Sequence, residues 1–207
     1  MLKVPSTPDD PSVGFINGLE KVLTVSAVTP RDLKRIFHGT TTATNAILEG
    51  KGATVGLIVS EGFKYVLEIG RQGMPRLASG HVWVKPDRPI PPDHIFEVAE
   101  RIDFNGEIVT PLDEDGVVKA ANRLNAAGID SMAVAFIHSY ADGTNEHRAR
   151  DLILNSYADA HVSLSSEVLP VFREYERIMT TVLNAYVMPQ VSYYVEKLQK
   201  KLNKETS

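Results

Sequence analysis

Apolar residues along this chain fall at helical spacing in some stretches and in uninterrupted runs in others, and each change of spacing marks a change of element. Ile16, Leu19, Val22 and Leu23 keep helical spacing behind Asp10 and Pro11, a capping residue and a first-turn proline, so a helix is expected from Pro11 onward. Leu2-Lys3-Val4 predicts a stub of strand before it. Thr29-Pro30 predicts a short helical turn, and Arg35-Ile36-Phe37-His38 predicts a strand ending at Gly39. The threonine-rich stretch that follows predicts a helix, stopped by Gly50 and Gly52. Ala53 to Val59 has no polar face and suits a parallel strand covered on both sides. Strand, helix, strand from Arg35 to Val59 then predicts a right-handed crossover.

The pattern continues with a short helix within Phe63–Gly70 and a long loop from Gln72 to Pro92, punctuated by Pro75, Pro86, Pro89, Pro91 and Pro92. A loop of that length reads as a functional lid or an insertion. Asn105-Gly106 between Val98–Asp103 and Glu107–Thr110 predicts a hairpin. Val117, Ala121 and Leu124 give the next helix its buried stripe, closed by Gly128, and Met132 to Ile137 is a second fully apolar strand ending at His138. A helix from about Asn145 to Tyr157 and a strand from His161 to Leu164 complete another α/β pair. Pro170 precedes a helix to about Val187, Pro189 is expected to break it, and Val191, Tyr194, Val195, Leu198 and Leu202 mark a separate last helix. The whole is an α/β fold.

Composition narrows the function. A net charge of −4 with both signs dispersed leaves no basic stripe for a phosphate backbone, which removes nucleic acid as a partner. The absence of cysteine removes disulfides and thiolate metal sites. No apolar run reaches membrane-spanning length and Met1-Leu2-Lys3-Val4-Pro5 lacks the apolar core of a secretion signal, so the expected setting is the cytoplasm.

Candidate chemistry is concentrated at strand ends. His38-Gly39-Thr40-Thr41-Thr42-Ala43-Thr44-Asn45 aims several hydroxyls and backbone N–H groups at one place, to cap a helix, to hold an anion or polar substrate, or to do both. One cap uses one hydroxyl and is worth about 1 kcal/mol. Four β-branched threonines near a helix start are locally costly, so the excess favours a site. Gly50-Lys51-Gly52-Ala53-Thr54-Val55-Gly56 mimics a phosphate loop but precedes a strand instead of following one, and reads as a helix stop and turn. Arg71 stands where a helix gives way to the long loop, either as a solvated surface residue or as a clamp for a carboxylate or phosphate. His138 reads as a capping or hydrogen-bonded structural residue, because no metal-ligand spacing ties it to Asp142, Glu146 or His147. Arg173, Glu176, Arg177, Thr180 and Asn184 form a polar stripe with two readings. It is either a solvated face with Glu176 paired to Arg173, or a face turned to a cleft.

His38-Gly-Thr-Thr-Thr-Ala-Thr-Asn45, Ile58-Val-Ser-Glu-Gly-Phe63, Glu68-Ile-Gly-Arg-Gln72, Glu100-Arg-Ile-Asp-Phe-Asn-Gly106 and Ser165-Ser-Glu-Val-Leu-Pro170 with Arg173-Glu-Tyr-Glu-Arg177 resemble the hydantoinase A/5-oxoprolinase family, in that order and over nearly the whole chain. The resemblance implies a ribonuclease-H-like domain of the actin and sugar-kinase ATPase type, with a mixed sheet flanked by helices. Residues 1–165 would be the family's N-terminal α/β domain, with a loop and hairpin insertion around 72–110, and 166–207 would be helices leading into a second actin-like domain. It implies ATP and Mg²⁺ in the complete enzyme, a small cyclic amide as substrate, and a hydantoinase B-like subunit or domain as partner. His38, Gly39, Thr40, Thr41, Thr42, Asn45, Arg71, Arg173, Glu176 and Arg177 would then line the substrate and nucleotide cleft, with no catalytic acid, base or metal ligand assigned.

A member of this family is expected to open with a hairpin carrying Gly-Gly-Thr-Phe-Thr-Asp, which cradles the phosphates, and this chain starts beyond that point. The expectation is therefore a domain without its first strands, inactive alone and holding no cofactor tightly. Two alternatives stand beside the cyclic-amide hydrolase: a piece of an ATP-dependent ketone carboxylase, and a non-catalytic module that pairs with other chains, copies of itself included, through an exposed sheet edge.

Overall fold

A computed structural model describes residues 1–7, 10–71 and 90–205. The long loop expected from residue 72 lies, as far as residue 89, outside the described residues. The chain forms two compact units: a terminal unit of residues 1–51 and 189–207, and a central unit of residues 52–188.

The central unit is built on a four-stranded sheet of β1 (Val55–Ser60), β2 (Ile95–Val98), β5 (Ser131–Ala135) and β6 (His161–Leu164), in the order β2-β1-β5-β6. Every pairing in it is parallel. The sheet was expected to be mixed; instead, antiparallel pairing is confined to a separate hairpin, β3 (Arg101–Ile102) with β4 (Ile108–Thr110), around the Asn105-Gly106 turn. Parallel pairing follows from the connections, because α4 (Glu114–Ala126) carries the chain back to β5 and α5 (Thr144–Ser156) carries it on to β6.

Central strands covered on both faces need apolar residues at every position, and β1 and β5 are buried throughout. Successive side chains alternate between two cores. Ile58, Met132, Val134 and Phe136 pack with Val117, Leu124 and Ile153 of α4 and α5. Leu57, Val59, Ala133 and Ala135 pack on the opposite face with Leu67 of α3 (Val66–Ile69) and with Ile178 and Val182 of α7 (Glu174–Glu205). A short α6 (Ser165–Val168) follows β6 directly. The chain direction reverses between β1 and β5: from β1 the next strand lies to one side, and from β5 it lies to the other.

The terminal unit holds α1 (Pro11–Ser26), a 3-10 turn at Pro30–Asp32, α2 (Thr42–Leu48) and the end of α7. Asp10 caps α1, accepting from the Ser12 N–H, and Ile16 packs with Tyr194 and Leu198. Two expected strands do not form, since Leu2–Val4 and residues 35–38 carry no ladder. Ile36, Phe37 and His38 stay exposed and apolar content alone gave them no strand to pair with, so the crossover expected before β1 is absent.

Pro189 does not end its helix. α7 runs through it, because the carbonyls that a helix proline releases are taken elsewhere. The Ala185 carbonyl, four residues back, accepts from Ser131 Oγ at 2.7 Å, and the Tyr186 carbonyl accepts from the Ala53 N–H at 2.8 Å. Both donors belong to chain entering the sheet, so the carbonyls of Ala185 and Tyr186 are bonded within the central unit. Ser131→Ala is accordingly expected to cost about 1–3 kcal/mol in denaturant unfolding by leaving a buried carbonyl unpaired. In a Pro189→Ala background, where the helix N–H is restored, the same change should cost clearly less; equal costs would show that the hydroxyl does not replace the lost bond.

Candidate functional site

Each of three parallel strands delivers a serine at or just beyond its carboxyl end: Ser60 on β1, Ser139 after β5 and Ser165 after β6, all with at most 1% of their surface exposed. Around them lie two buried carboxyl groups, Glu100 and Glu146, the amide of Asn145 and the guanidinium of Arg177. Open parallel sheets gather ligands outside the carboxyl ends of their strands, where the chain reverses direction, and this cluster spans the β1–β5 reversal.

The cluster has two connected halves. In the first, Ser60 Oγ accepts from the Ile137 N–H at 2.8 Å and donates to Glu100 Oε1, while Asn145 Nδ2 donates to Glu100 Oε2 at 3.0 Å. Burial pushes the Glu100 carboxyl above the ordinary carboxylate range, against the hydrogen bonds from Ser60 and Asn145. In the second half, Glu146 Oε1 accepts from the Phe136 N–H at 2.8 Å and from Ser165 Oγ at 2.6 Å, and its Oε2 accepts from the Ser166 N–H at 2.8 Å. The only hydroxyl proton of Ser165 is committed to Glu146, so the 3.0 Å contact between Ser139 and Ser165 has Ser139 as donor. Arg177 Nη1 donates to Ser139 Oγ at 2.7 Å and completes a directed chain from arginine through two serines to carboxylate. Burial lowers the Arg177 pKa and the nearby charges of Glu146 and Glu174 oppose that shift.

The polar stripe of α7 is therefore not a solvated face. Arg177 is fully buried, Thr180 bonds back to the Glu176 carbonyl, and Asn184 Nδ2 donates to Ser163 Oγ at 2.9 Å. Glu176 forms an ion pair with Arg71, not with Arg173, and Arg173 lies exposed with its guanidinium 5.6 Å from the Phe172 ring. His138 takes the structural role expected of it: at φ 58° its Nδ1–H donates to the Ile102 carbonyl at 2.9 Å.

The remaining candidates belong to the terminal unit. His38 Nε2 lies 2.5 Å from Tyr194 Oη and its ring meets Phe15 edge-on. Thr41 occupies the N-cap of α2 without a side-chain cap; Thr40 Oγ1 contacts Thr42 Oγ1 at 2.7 Å and accepts from the Thr42 N–H, and Asn45 Nδ2 donates to Thr41 Oγ1. The hydroxyls thus satisfy one another and face an open groove of ≈ 720 Å³ that Thr7 and Lys51 also line. Gly39 stands beside them with open space where a side chain would be.

Of the glycines resembling a phosphate loop, Gly52 and Gly56 are taken up by packing: a Cβ on Gly52 would meet the Tyr186 ring, and one on Gly56 would meet the Leu124 side chain. Among the described residues no group of three or more His, Asp or Glu side chains is set to hold a metal ion, and no helix is long and apolar enough to cross a membrane.

Comparison with known proteins places this architecture. Residues 1–157 match the family described as the hydantoinase/oxoprolinase N-terminal region. The chain belongs to the hydantoinase/oxoprolinase family. It is 38% identical over 95% of its length to an uncharacterised protein of Methanocaldococcus jannaschii, 35% identical over 89% to the acetophenone carboxylase gamma subunit of Aromatoleum aromaticum, and 32% identical over 96% to the caprolactamase alpha subunit of Pseudomonas jessenii. It spans 28%, 28% and 29% of those relatives. Two solved structures superpose on 99% of it with a TM-score of 0.83: nucleotide-free acetone carboxylase, at 26% identity and 31% of that chain, and the ATP-dependent caprolactamase of Pseudomonas jessenii, at 29% identity and 30% of that chain.

Of the buried cluster, sequence reasoning singled out only Arg177 as a site residue. Glu100 and Ser165 stood in family blocks without a role, and Glu146 was weighed only for metal spacing. The available signal was the serine that closes each apolar run. Because the folded state favours the neutral Glu100 carboxyl, it binds more protons than the unfolded chain above the ordinary carboxylate pKa, and stability falls as pH rises through that window. Glu100→Gln should flatten the stability profile above the ordinary carboxylate pKa of about 4, measured by urea midpoints; a profile parallel to wild type would contradict it.

Proposed function

We propose that this chain is the N-terminal region of an ATP-dependent enzyme that opens a cyclic amide such as a hydantoin or 5-oxoproline. The observation that carries this reading is the likeness to caprolactamase, by name an enzyme of a lactam, which extends over nearly the whole chain in sequence and in fold. In the complete protein the central unit would be one domain of an actin-like ATPase. Residues 1–165 would form the family's N-terminal domain and 166–207 the helices that lead onward. ATP and Mg²⁺ would serve the complete protein, because an unactivated amide is a poor electrophile. A hydantoinase B-like subunit or domain is the partner that the reading supplies, and the cytoplasm its setting.

The chain's own contribution is positional. The buried cluster holds the turns after β1, β5 and β6 in fixed register, so that groups presented beyond the strand ends stay in place for reaction. On this reading Arg71, Arg173, Glu176 and Arg177 serve the ligand-facing surface of the central unit, and His38, Gly39, Thr40, Thr41, Thr42 and Asn45 serve the groove of the terminal unit.

A second reading has its own support: the identity to the acetophenone carboxylase gamma subunit makes ketone carboxylation the competing reaction. The test is to assay the complete protein, with its partner subunit, Mg²⁺ and ATP, against hydantoin, 5-oxoproline and caprolactam. The expected result is a ring-opened product formed together with ADP. Carboxylation of acetone or acetophenone by bicarbonate, with all three rings left closed, would overturn the hydrolase.

A further inference from the structure

Arg177 carries five N–H bonds and the protein uses few of them. Nη1 donates to Ser139 Oγ, whereas Nε and Nη2 are buried without a hydrogen-bond partner among the described residues. These two nitrogens share one edge of the guanidinium, and their N–H bonds run parallel along it. That edge receives a carboxylate or phosphate side-on through two bonds at once. A buried cationic donor left empty is destabilising; the charges of Glu146 and Glu174 offset the burial of the guanidinium, but no described group hydrogen-bonds this edge. Glu146 is filled by Phe136, Ser165 and Ser166, Glu100 by Ser60 and Asn145, and Tyr140 offers its ring, 5.8 Å from the guanidinium.

The position of the guanidinium is a second, independent pointer. The bond from Arg177 to Ser139 places the guanidinium beside the turn that follows β5, on the strand-end side where open parallel sheets hold their ligands. Its orientation is fixed from both directions. The Ser139–Ser165–Glu146 chain fixes one end of the guanidinium, and the backbone of Arg177 is tied into α7, with its carbonyl accepting from Thr181 Oγ1 at 2.7 Å. An arginine held this way is pre-organised for one acceptor geometry.

We infer that the Nε/Nη2 edge of Arg177 is a receptor for a small oxyanion, a phosphate or a carboxylate group of a ligand. The inference sharpens the assignment of Arg177 to a ligand-facing surface and is independent of which reaction the complete protein carries out. Failure to open any ring would leave anion binding intact, and failure to bind anions would leave ring opening intact.

The test is NMR on the full 207-residue chain, following the Arg177 side-chain Nε–H resonance, assigned by its loss in Arg177→Lys. Inorganic phosphate and acetate are added separately, with chloride at matched ionic strength as control. The expected result is a saturable shift with phosphate, acetate or both, absent with chloride, and binding at least about tenfold weaker in Arg177→Lys, read in both proteins from the backbone amides of Ser139 and Tyr140 beside the guanidinium. A response to phosphate alone assigns the edge to a phosphoryl group, and a response to acetate alone assigns it to a carboxylate. A resonance that neither anion moves, or that chloride moves equally, overturns the proposal. So does a folded Arg177→Lys that binds as tightly as wild type. Should Arg177→Lys fail to fold, the wild-type titrations still decide, with the resonance assigned through its neighbours in α7.

Discussion

Arg177 and Glu146 bring opposite charges into the interior of the central unit and are joined through two serine hydroxyls. Moving either charge out of water alone is prohibitive, and a bridged pair becomes tolerable only when the remaining acceptors are filled. Three donors fill Glu146, and two of them are backbone N–H groups, from Phe136 after β5 and Ser166 after β6. One side chain on α5 thereby fixes two strand ends, and through Ser139 it fixes α7 as well. The sheet order, the short turns after the strands and the burial of Arg177 depend on one another through this carboxylate.

The same economy governs Pro189. A proline inside a helix normally marks an end, but here Ser131 and Ala53 use the carbonyls it exposes to hold α7 against the start of β5 and the approach to β1. The helix is thus stitched near Pro189 at the amino ends of the strands and through Arg177 at their carboxyl ends. Between those points Ile178 and Val182 supply apolar contact and Asn184 donates to Ser163 of β6.

The sequence disclosed the central strands and the helices of both units, but not which apolar stretches of the terminal unit would pair, for a physical reason. Fully buried parallel strands leave unbroken apolar runs, so β1 and β5 were legible at once, as were α4, α5 and the Asn105-Gly106 hairpin. Leu2–Val4 and residues 35–38 have the composition of strands but find no partner, and pairing is not a local property. The continuation of α7 through Pro189 was hidden because the compensating donors lie far away in sequence. The site was legible in part. Family blocks drew attention to Arg177, yet periodicity placed it on a polar stripe whose burial could not be read without the serines and carboxyl groups opposite. The threonine cluster was visible from its excess of hydroxyls, whereas their mutual hydrogen bonding was not.

The central claim is that a buried charge, relayed through hydroxyls, holds the strand ends in place. Amide hydrogen exchange tests it most directly. In the native chain the Phe136 and Ser166 amides should exchange only with global unfolding, as slowly as Val134 within the sheet. In Glu146→Gln both should lose at least about tenfold of that protection while Val134 keeps its own. Phe136 and Ser166 amides that exchange in the native chain as fast as those of an exposed turn would contradict it.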